Sequence, residues 1–267
     1  MICFPNAKIN LGLHVTEKRG DGYHNIETVF YPIPLKDALE IVPAPDFSFT
    51  QVGLALDLRH EDNLVTRALN LFKNNYDIPP LAVFLKKAIP FGAGLGGGSA
   101  DAAFMLKLLN DYTSQNLSNE TLEKMAVEIG ADCPFFIRNT PVIASGIGNI
   151  FKAIALSLKG YTLCIIKPNL FISTKEAYAL VKPTKPSLSL REIVQMPVKE
   201  WKKYLKNDFE PGVCQKYPVI AEIKAYLYDC EAVYAAMSGS GSAVFGLFDK
   251  DVPLSFPDSF IWKGIMK

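Results

Sequence analysis

At 267 residues, 49% hydrophobic and 21% charged, the chain has ordinary globular composition, with apolar mass for one large domain or two modest ones; extensive disorder is excluded. Its formal net charge of +1 comes without a long basic run, so no nucleic-acid surface is predicted. No uncharged apolar run approaches the length of a membrane span, so no membrane partner is predicted either. Cys3, Cys133, Cys164, Cys214 and Cys230 are an odd set without Cys-x-x-Cys spacing. They predict reduced, mostly buried thiols rather than a disulfide frame or a zinc site. Met1 to Lys8 lacks a basic flank followed by an apolar core, so no secretory signal and a cytoplasmic location are expected.

In chain order, Ala7 to Val15 alternates and is rich in Ile, Leu and Val, which predicts a strand. Thr28–Pro32, Ala38–Val42 and Asp46–Gln51 predict further short strands. Asn63 to Lys73 places Leu64, Val65, Ala68, Leu69 and Phe72 on one helical face, with Asp62 available as N-cap. A strand over Leu81–Leu85 precedes a glycine-dense segment, and two helices follow it, Ala100–Asn110 and Ser118–Ile129 with Ser118 as N-cap. Pro134–Ile137 and Val142–Ala144 read as strands. The pattern loosens over Ile154–Gly160, and the strongly apolar Tyr161–Lys167 predicts another strand. Ser173-Thr174-Lys175-Glu176 is a Ser-x-x-Glu capping box opening a helix that ends before Pro183. Lys182–Ser189 reads as a surface loop, Val219–Tyr228 as a helix, and Ala232–Met237 and Ser242–Leu247 as strands around the turn Ser238-Gly239-Ser240-Gly241. Strands and helices without regular βαβ alternation predict an α+β protein in two lobes, residues 1–158 and 159–267. Each lobe carries one glycine-rich turn, which places a nucleotide site in the cleft between them.

The segment Pro90-Phe91-Gly92-Ala93-Gly94-Leu95-Gly96-Gly97-Gly98-Ser99-Ala100-Asp101 puts five glycines into seven residues, immediately before a good helix former. Glycine permits close backbone approach to a ligand, and a helix opening near Ser99 adds unpaired N–H groups and a positive dipole end. A loop that wraps phosphate is the reading this context favours over a flexible linker. No Gly-Lys-Ser/Thr closes it, so it is not a Walker A loop. It does match Gly-x-Gly-x-x-Gly with Gly92, Gly94 and Gly97. A dinucleotide site would need a second strand ending in an acidic residue some twenty positions on, where this chain predicts a helix instead.

A phosphate loop makes phosphoryl transfer the leading reaction class, which needs a cation and a group that takes the nucleophile's proton. Asp132, in Gly130-Ala131-Asp132-Cys133-Pro134, is a well-fixed carboxylate. It reads equally as a turn aspartate bonded to its own backbone. Lys8 lies in an otherwise apolar strand with Asn10 and His14 on its face, where a lysine is ordinarily a solvated edge residue. Gly20-Asp21-Gly22-Tyr23-His24 is a tight turn. It is either a plain hairpin loop or a presentation of an aromatic and an imidazole to a base.

Taken together these motifs resemble the GHMP kinase superfamily, named for galactokinase and for homoserine, mevalonate and phosphomevalonate kinases. Pro5-Asn6-Ala7-Lys8-Ile9-Asn10-Leu11, the glycine segment, and Met237-Ser238-Gly239-Ser240-Gly241-Ser242 stand in the family's order across nearly the whole chain. His60-Glu61-Asp62-Asn63-Leu64 and the Gly-Ala-Asp of residues 130–132 add two further matches. The pairing of Ala-Lys-Ile-Asn with Asp21-Gly22-Tyr23-His24 narrows the resemblance to members that act on a cytidyl diphosphate sugar alcohol. The resemblance implies a two-lobed fold and ATP-dependent phosphorylation of a hydroxyl by direct transfer, with Mg²⁺ on ATP, in isoprenoid precursor synthesis. It implies Asp132 as base and Lys8 as the cation that holds that carboxylate ionised and stabilises the transferred group. Asn63, Leu64 and Lys87 are implied around adenine, and Gly92, Gly94, Leu95, Gly96, Gly97, Gly98 and Ser99 around phosphate. Asn10, Tyr23, His24, Thr174 and Tyr178 are implied as substrate contacts, with the cytosine stacked on Tyr23 and Tyr178 and bonded to His24. Asn149 stands where the family's Gly-x-Gly-Glu turn usually has glutamate. No residue is assigned to a metal, and the residues carry no signal of oligomeric state.

Overall fold

A computed structural model describes residues 1–54 and 63–267, and its elements follow the apolar periodicity of the chain. The first stretch comprises β1 (Ile2–Cys3), β2 (Asn6–Lys18), β3 (His24–Lys36), β4 (Ala38–Pro43), β5 (Ser48–Gly53), α1 (Leu64–Asn75) and β6 (Leu81–Lys87). The middle holds α2 (Gly97–Tyr112), α3 (Asn119–Ile129), α4 (Phe135–Arg138), β7 (Val142–Ser145), β8 (Ile150–Ala153) and β9 (Thr162–Pro168). The remainder runs through α5 (Thr174–Ala179), α6 (Leu190–Val194), α7 (Val198–Tyr204), α8 (Glu210–Lys216) and α9 (Pro218–Asp229). It ends with β10 (Tyr234–Met237), β11 (Val244–Phe248) and β12 (Ser259–Ile265).

The chain forms two compact units that interleave along the sequence. One is Met1–Ala7, Leu35–Phe91 and Gly96–Thr140; the other is Lys8–Pro34, Gly92–Leu95 and Pro141–Lys267. In the first, the sheet order is β1-β4-β6-β5. β5 runs parallel to β6 and is joined to it through α1, whereas β4 is antiparallel to both β1 and β6. α1 buries Val65, Ala68, Leu69 and Phe72, one stripe at helical spacing, and packs on α2. Phe72 is fully buried, a contribution of about 1.5–3 kcal/mol by transfer from water. Alanines at positions 100, 102 and 103 keep the first turns of α2 slim enough to lie deep in this core.

The second unit holds the sheets β10-β11-β9-β12 and β2-β3-β7-β8. The first is antiparallel throughout, with Met237 opposite Val244 and Val244 opposite Ile166. α9 lays Ile220, Ile223 and Leu227 against it. Its edge strand β12 pairs along Ser259–Ile265, a strand the sequence reading did not find.

Four local expectations need correction. Pro134–Ile137 reads as a strand but is the start of a short helix. Phe135, Phe136 and Ile137 are all buried, and a short fully apolar run has no periodicity with which to separate the two states. α2 opens at Gly97, two residues before Ser99, because Gly96 at its N-cap takes the left-handed conformation (φ +70°). Ser173 does cap α5, but the Glu176 carboxylate accepts from Lys216 Nζ and Tyr217 Oη instead of returning to the cap. The reciprocal box is Ser189–Glu192 at α6. Asp62 and the rest of the His60-Glu61-Asp62 match lie outside the described residues. α1 is capped by Asn63, whose Oδ1 accepts from Val65 N at 2.9 Å. All five cysteines are free thiols, and among the described residues no helix is long and apolar enough to cross a membrane.

Candidate active site

In the second unit the middle of the glycine loop is held by three segments remote in sequence. Leu95 O accepts from Lys8 N (2.9 Å), and Ala93 O accepts from Ala243 N (3.2 Å). Gly94 O receives both Lys8 Nζ at 3.1 Å and Ser238 Oγ at 2.9 Å. Ser238 Oγ in turn accepts from Asn10 N at 3.2 Å. Lys8 is therefore no solvated edge residue: it is 3% exposed, its ammonium donates to Asn10 Oδ1 at 2.5 Å and lies 4.8 Å over the Phe30 ring. Asn10 is fixed on its other side, Nδ2 donating to Thr28 Oγ1 at 2.9 Å. The sequence implied Asn10 as a substrate contact; its side chain is placed between Lys8 and Thr28. Gly94 has φ +72°, and a Cβ there would stand 1.9 Å from Ser238 O. Gly94→Ala is accordingly expected to lose ATP turnover by at least about 100-fold, through misplacement of the loop. Steady-state kinetics on the folded variant checks this; near-normal turnover would mean the loop adapts without consequence.

The first unit collects the rest of the nucleotide candidates. The N-terminal turn of α2 has no side-chain cap, so the first N–H groups of Gly97, Gly98 and Ser99 keep the character of an anion site. A Cβ at Gly98 would sit 3.6 Å from Leu64 Cδ1, which places Leu64 over this turn. Asn63, one residue earlier, is buried and donates Nδ2 to Gln51 Oε1 at 3.1 Å. Lys87, implied beside adenine, is 4% exposed and delivers its ammonium to Asp37 Oδ2 and, at 2.6 Å, to Asp101 Oδ2. Asp132 is half-buried in the turn between α3 and α4. Its neighbour Cys133 is fully buried against the Ser99 hydroxyl, and burial pushes its thiol up to about 12. That thiol stays protonated at neutral pH, a packing group rather than a nucleophile.

The aromatic candidates fall in the second unit. Asp21 Oδ1 accepts from Tyr23 N at 3.1 Å and closes the turn between β2 and β3, leaving the Tyr23 ring 63% exposed. His24 and Tyr178 stack on each other, with ring centroids 4.7 Å apart and 20° between planes. Tyr178 is backed edge-on by Phe209 at 4.9 Å. Thr174 Oγ1 lies 3.4 Å from Ser240 Oγ, so the third motif and the start of α5 meet.

Sequence reasoning missed the residues that brace these parts. Asn207 Nδ2 donates to Met237 O and Gly239 O, both at 2.8 Å, and its Oδ1 accepts from Phe209 N. Asp208 Oδ2 accepts from Val15 N, and Glu210 Oε1 accepts from Met237 N at 2.7 Å. Nothing in Lys206-Asn207-Asp208-Phe209-Glu210 distinguishes these positions from an ordinary polar connection, since the partners that tie them to the site lie about thirty or more positions away. Asp37 is the same case in the first unit.

This arrangement, a glycine loop opening α2, a buried lysine on its central carbonyl and a second glycine turn braced behind it, has counterparts among known proteins. Residues 63–140 match the model of the GHMP kinases N terminal domain, and residues 189–255 that of the GHMP kinases C terminal domain. The chain belongs to the GHMP kinase family and has its fold. It is 59% identical to the 4-diphosphocytidyl-2-C-methyl-D-erythritol kinase of Parabacteroides distasonis, over 99% of each chain. A crystal structure of a 4-(cytidine 5'-diphospho)-2C-methyl-D-erythritol kinase superposes with a TM-score of 0.80 at 32% identity, covering 92% of this chain and 90% of that one. The mevalonate kinase of Methanococcus jannaschii shares the fold, with a TM-score of 0.71 at 15% identity over 100% and 98% of the two chains.

Proposed function

We propose that this kinase phosphorylates the 2-hydroxyl of 4-diphosphocytidyl-2-C-methyl-D-erythritol with ATP, by direct in-line transfer, in non-mevalonate isoprenoid precursor synthesis. The observation that carries the reading is the buried Lys8 ammonium held on Gly94 O and Asn10 Oδ1, with Ser238 Oγ bonded to the same carbonyl. A cation fixed at that carbonyl stabilises charge on the transferred phosphoryl group without reorganising. Asp132 takes or orients the proton of the attacking hydroxyl. The uncapped turn of α2 and the glycines through Gly98 bind the phosphates, with Asn63 and Leu64 flanking the base of ATP. Among the described residues no three His, Cys, Asp or Glu side chains gather as a metal centre. Mg²⁺ suits the site as a companion of the ATP phosphates, which supply most of its ligands in such enzymes. We place the enzyme in the cytoplasm.

Tyr23 and Tyr178 provide the two faces for a cytosine, and His24 leaves its stack on Tyr178 to hydrogen-bond the base edge. Tyr178→Ala should raise KM for the cytidyl substrate about tenfold, the worth of one base–aromatic stack. KM for ATP should not move; a parallel rise in both would place Tyr178 outside the base site.

The reading is tested by ADP release with Mg-ATP against 4-diphosphocytidyl-methylerythritol, mevalonate, phosphomevalonate, homoserine and galactose. Turnover confined to the cytidyl compound is expected. Turnover of another alcohol would keep the kinase and discard the base-stacking assignment.

A further inference from the structure

The glycine loop is entered from the end of β6 and left through the first turn of α2, and both of these lie in the first unit. Beneath them sits a buried charge cluster that the phosphoryl-transfer reading does not use. Asp37, 1% exposed, accepts from Ala88 N at 2.5 Å and Ile89 N at 2.8 Å through Oδ1, so its carboxylate holds the backbone that leaves β6. Its Oδ2 takes the Lys87 ammonium, and that ammonium also reaches Asp101 Oδ2 on α2. Lys87 Nζ would stand 3.4 Å from a Cβ built at Gly97, directly under the first residue of the helix. One ammonium thus ties the strand that enters the loop to the helix that leaves it.

We propose that Asp37, Lys87 and Asp101 are positioning residues for the ATP phosphates: a buried three-residue clamp that sets the spacing of the two ends of the glycine loop. This rests on the reading of that loop as the phosphate site. The geometry supports the clamp: both carboxyls are buried on the same ammonium, and no donor reaches Asp101 Oδ1. Burial, first among the causes, pushes the Asp101 carboxyl well above the usual carboxylate range, and Asp37 adds to it. Burial also works against the Lys87 charge, but the two carboxylates outweigh it and raise its affinity for the proton. The Cys3 thiol of β1 also lies near Asp101, and burial, with Asp101, pushes it up to about 12, so it brings no charge. With its ammonium committed below the loop, Lys87 acts on the nucleotide through the loop backbone and not by touching the base.

The experiment is steady-state kinetics of the full chain with Mg-ATP and with Mg-GTP, with thermal unfolding of each variant in parallel. Lys87→Met and Asp101→Ala should raise KM for ATP about tenfold or more while kcat at saturation changes less than about threefold, since geometry of binding is lost and not the chemistry. The ATP-to-GTP preference should be unchanged, because phosphates and not the base are misplaced. Asp101→Asn, which keeps an acceptor for Lys87, should stay closer to wild type in KM than Asp101→Ala. Lys87→Arg, which keeps the charge, stands in should Lys87→Met fail to fold, and it should retain most of the ATP affinity. A collapse of the ATP-to-GTP preference in the Lys87 variants would overturn the clamp in favour of direct base contact. Unchanged KM for ATP in a folded Lys87→Met, with normal wild-type turnover, would overturn the clamp alone. A wild type that binds no ATP would sink the loop reading and this one with it.

Discussion

Asp132→Asn is expected to lower kcat about 1,000-fold, the weight of a general base in a proton transfer coupled to bond making, while the protein still folds and binds Mg-ATP. The substitution keeps the shape of the side chain and removes its capacity to take a proton. The turn that carries it should survive, because Cys133 N bonds to Gly130 O and α4 packs Phe135 and Phe136 into the core. Single-turnover quench-flow with saturating ATP separates chemistry from binding. A loss confined to KM, with kcat intact, would make Asp132 a binding residue and leave the base unassigned. Lys8→Met should fall with it, and the double variant should cost little more than either alone, as groups acting as a unit do.

The largest expected stability effect is at Trp201 on α7, a residue with no part in the chemistry. It is fully buried, its Nε1–H donates to Met196 O at 3.1 Å, and its ring meets Tyr234 edge-on at 5.6 Å. Tyr234 passes the packing on to Phe245 at 5.9 Å and donates its hydroxyl to Leu205 O. Trp201→Ala removes the largest side chain of this cluster and opens an apolar cavity, a cost of about 3–5 kcal/mol. Guanidinium denaturation should show the midpoint falling, whereas Trp201→Phe should lose a good deal less. A loss below about 1 kcal/mol for the alanine variant would mean that the surrounding helices collapse into the space.

How much could be read from residues alone depended on how local the deciding interaction is. The glycine loop, the helical stripe of α1 and the caps Ser118 and Ser173 are local features, and the structure has them. The helix of Phe135–Arg138 was misread because a short apolar run has no period. Lys8 is the instructive case. Its neighbours suggested an exposed edge, yet its burial is decided by Phe30 and Gly94, residues that only folding brings beside it. Resemblance to a family supplied the functional weight of Asp132, which the pattern of residues left even, and of Lys8, which that pattern read as a solvated edge. Asn207, Asp37 and Glu210 had neither help: each is a single polar residue whose meaning lies in partners about thirty or more positions away. Helices α6–α8 went unread for a related reason, since helices of five to seven residues carry too little periodicity to register.

Gly94 O receives one donor from residue 8 and another from residue 238, the latter 144 positions downstream. On a ribosome the lysine and the loop emerge early, but the serine arrives about ten seconds later at ordinary elongation rates. Through that interval the loop has its lysine and lacks its second brace, and Asn207, made about thirty residues earlier, has no turn at Gly239 to hold. A nascent chain that has not reached residue 238 is therefore expected to hold this loop less firmly than the finished protein. Any truncation that ends before Ser238 should inherit the same immaturity permanently, however well its first unit folds.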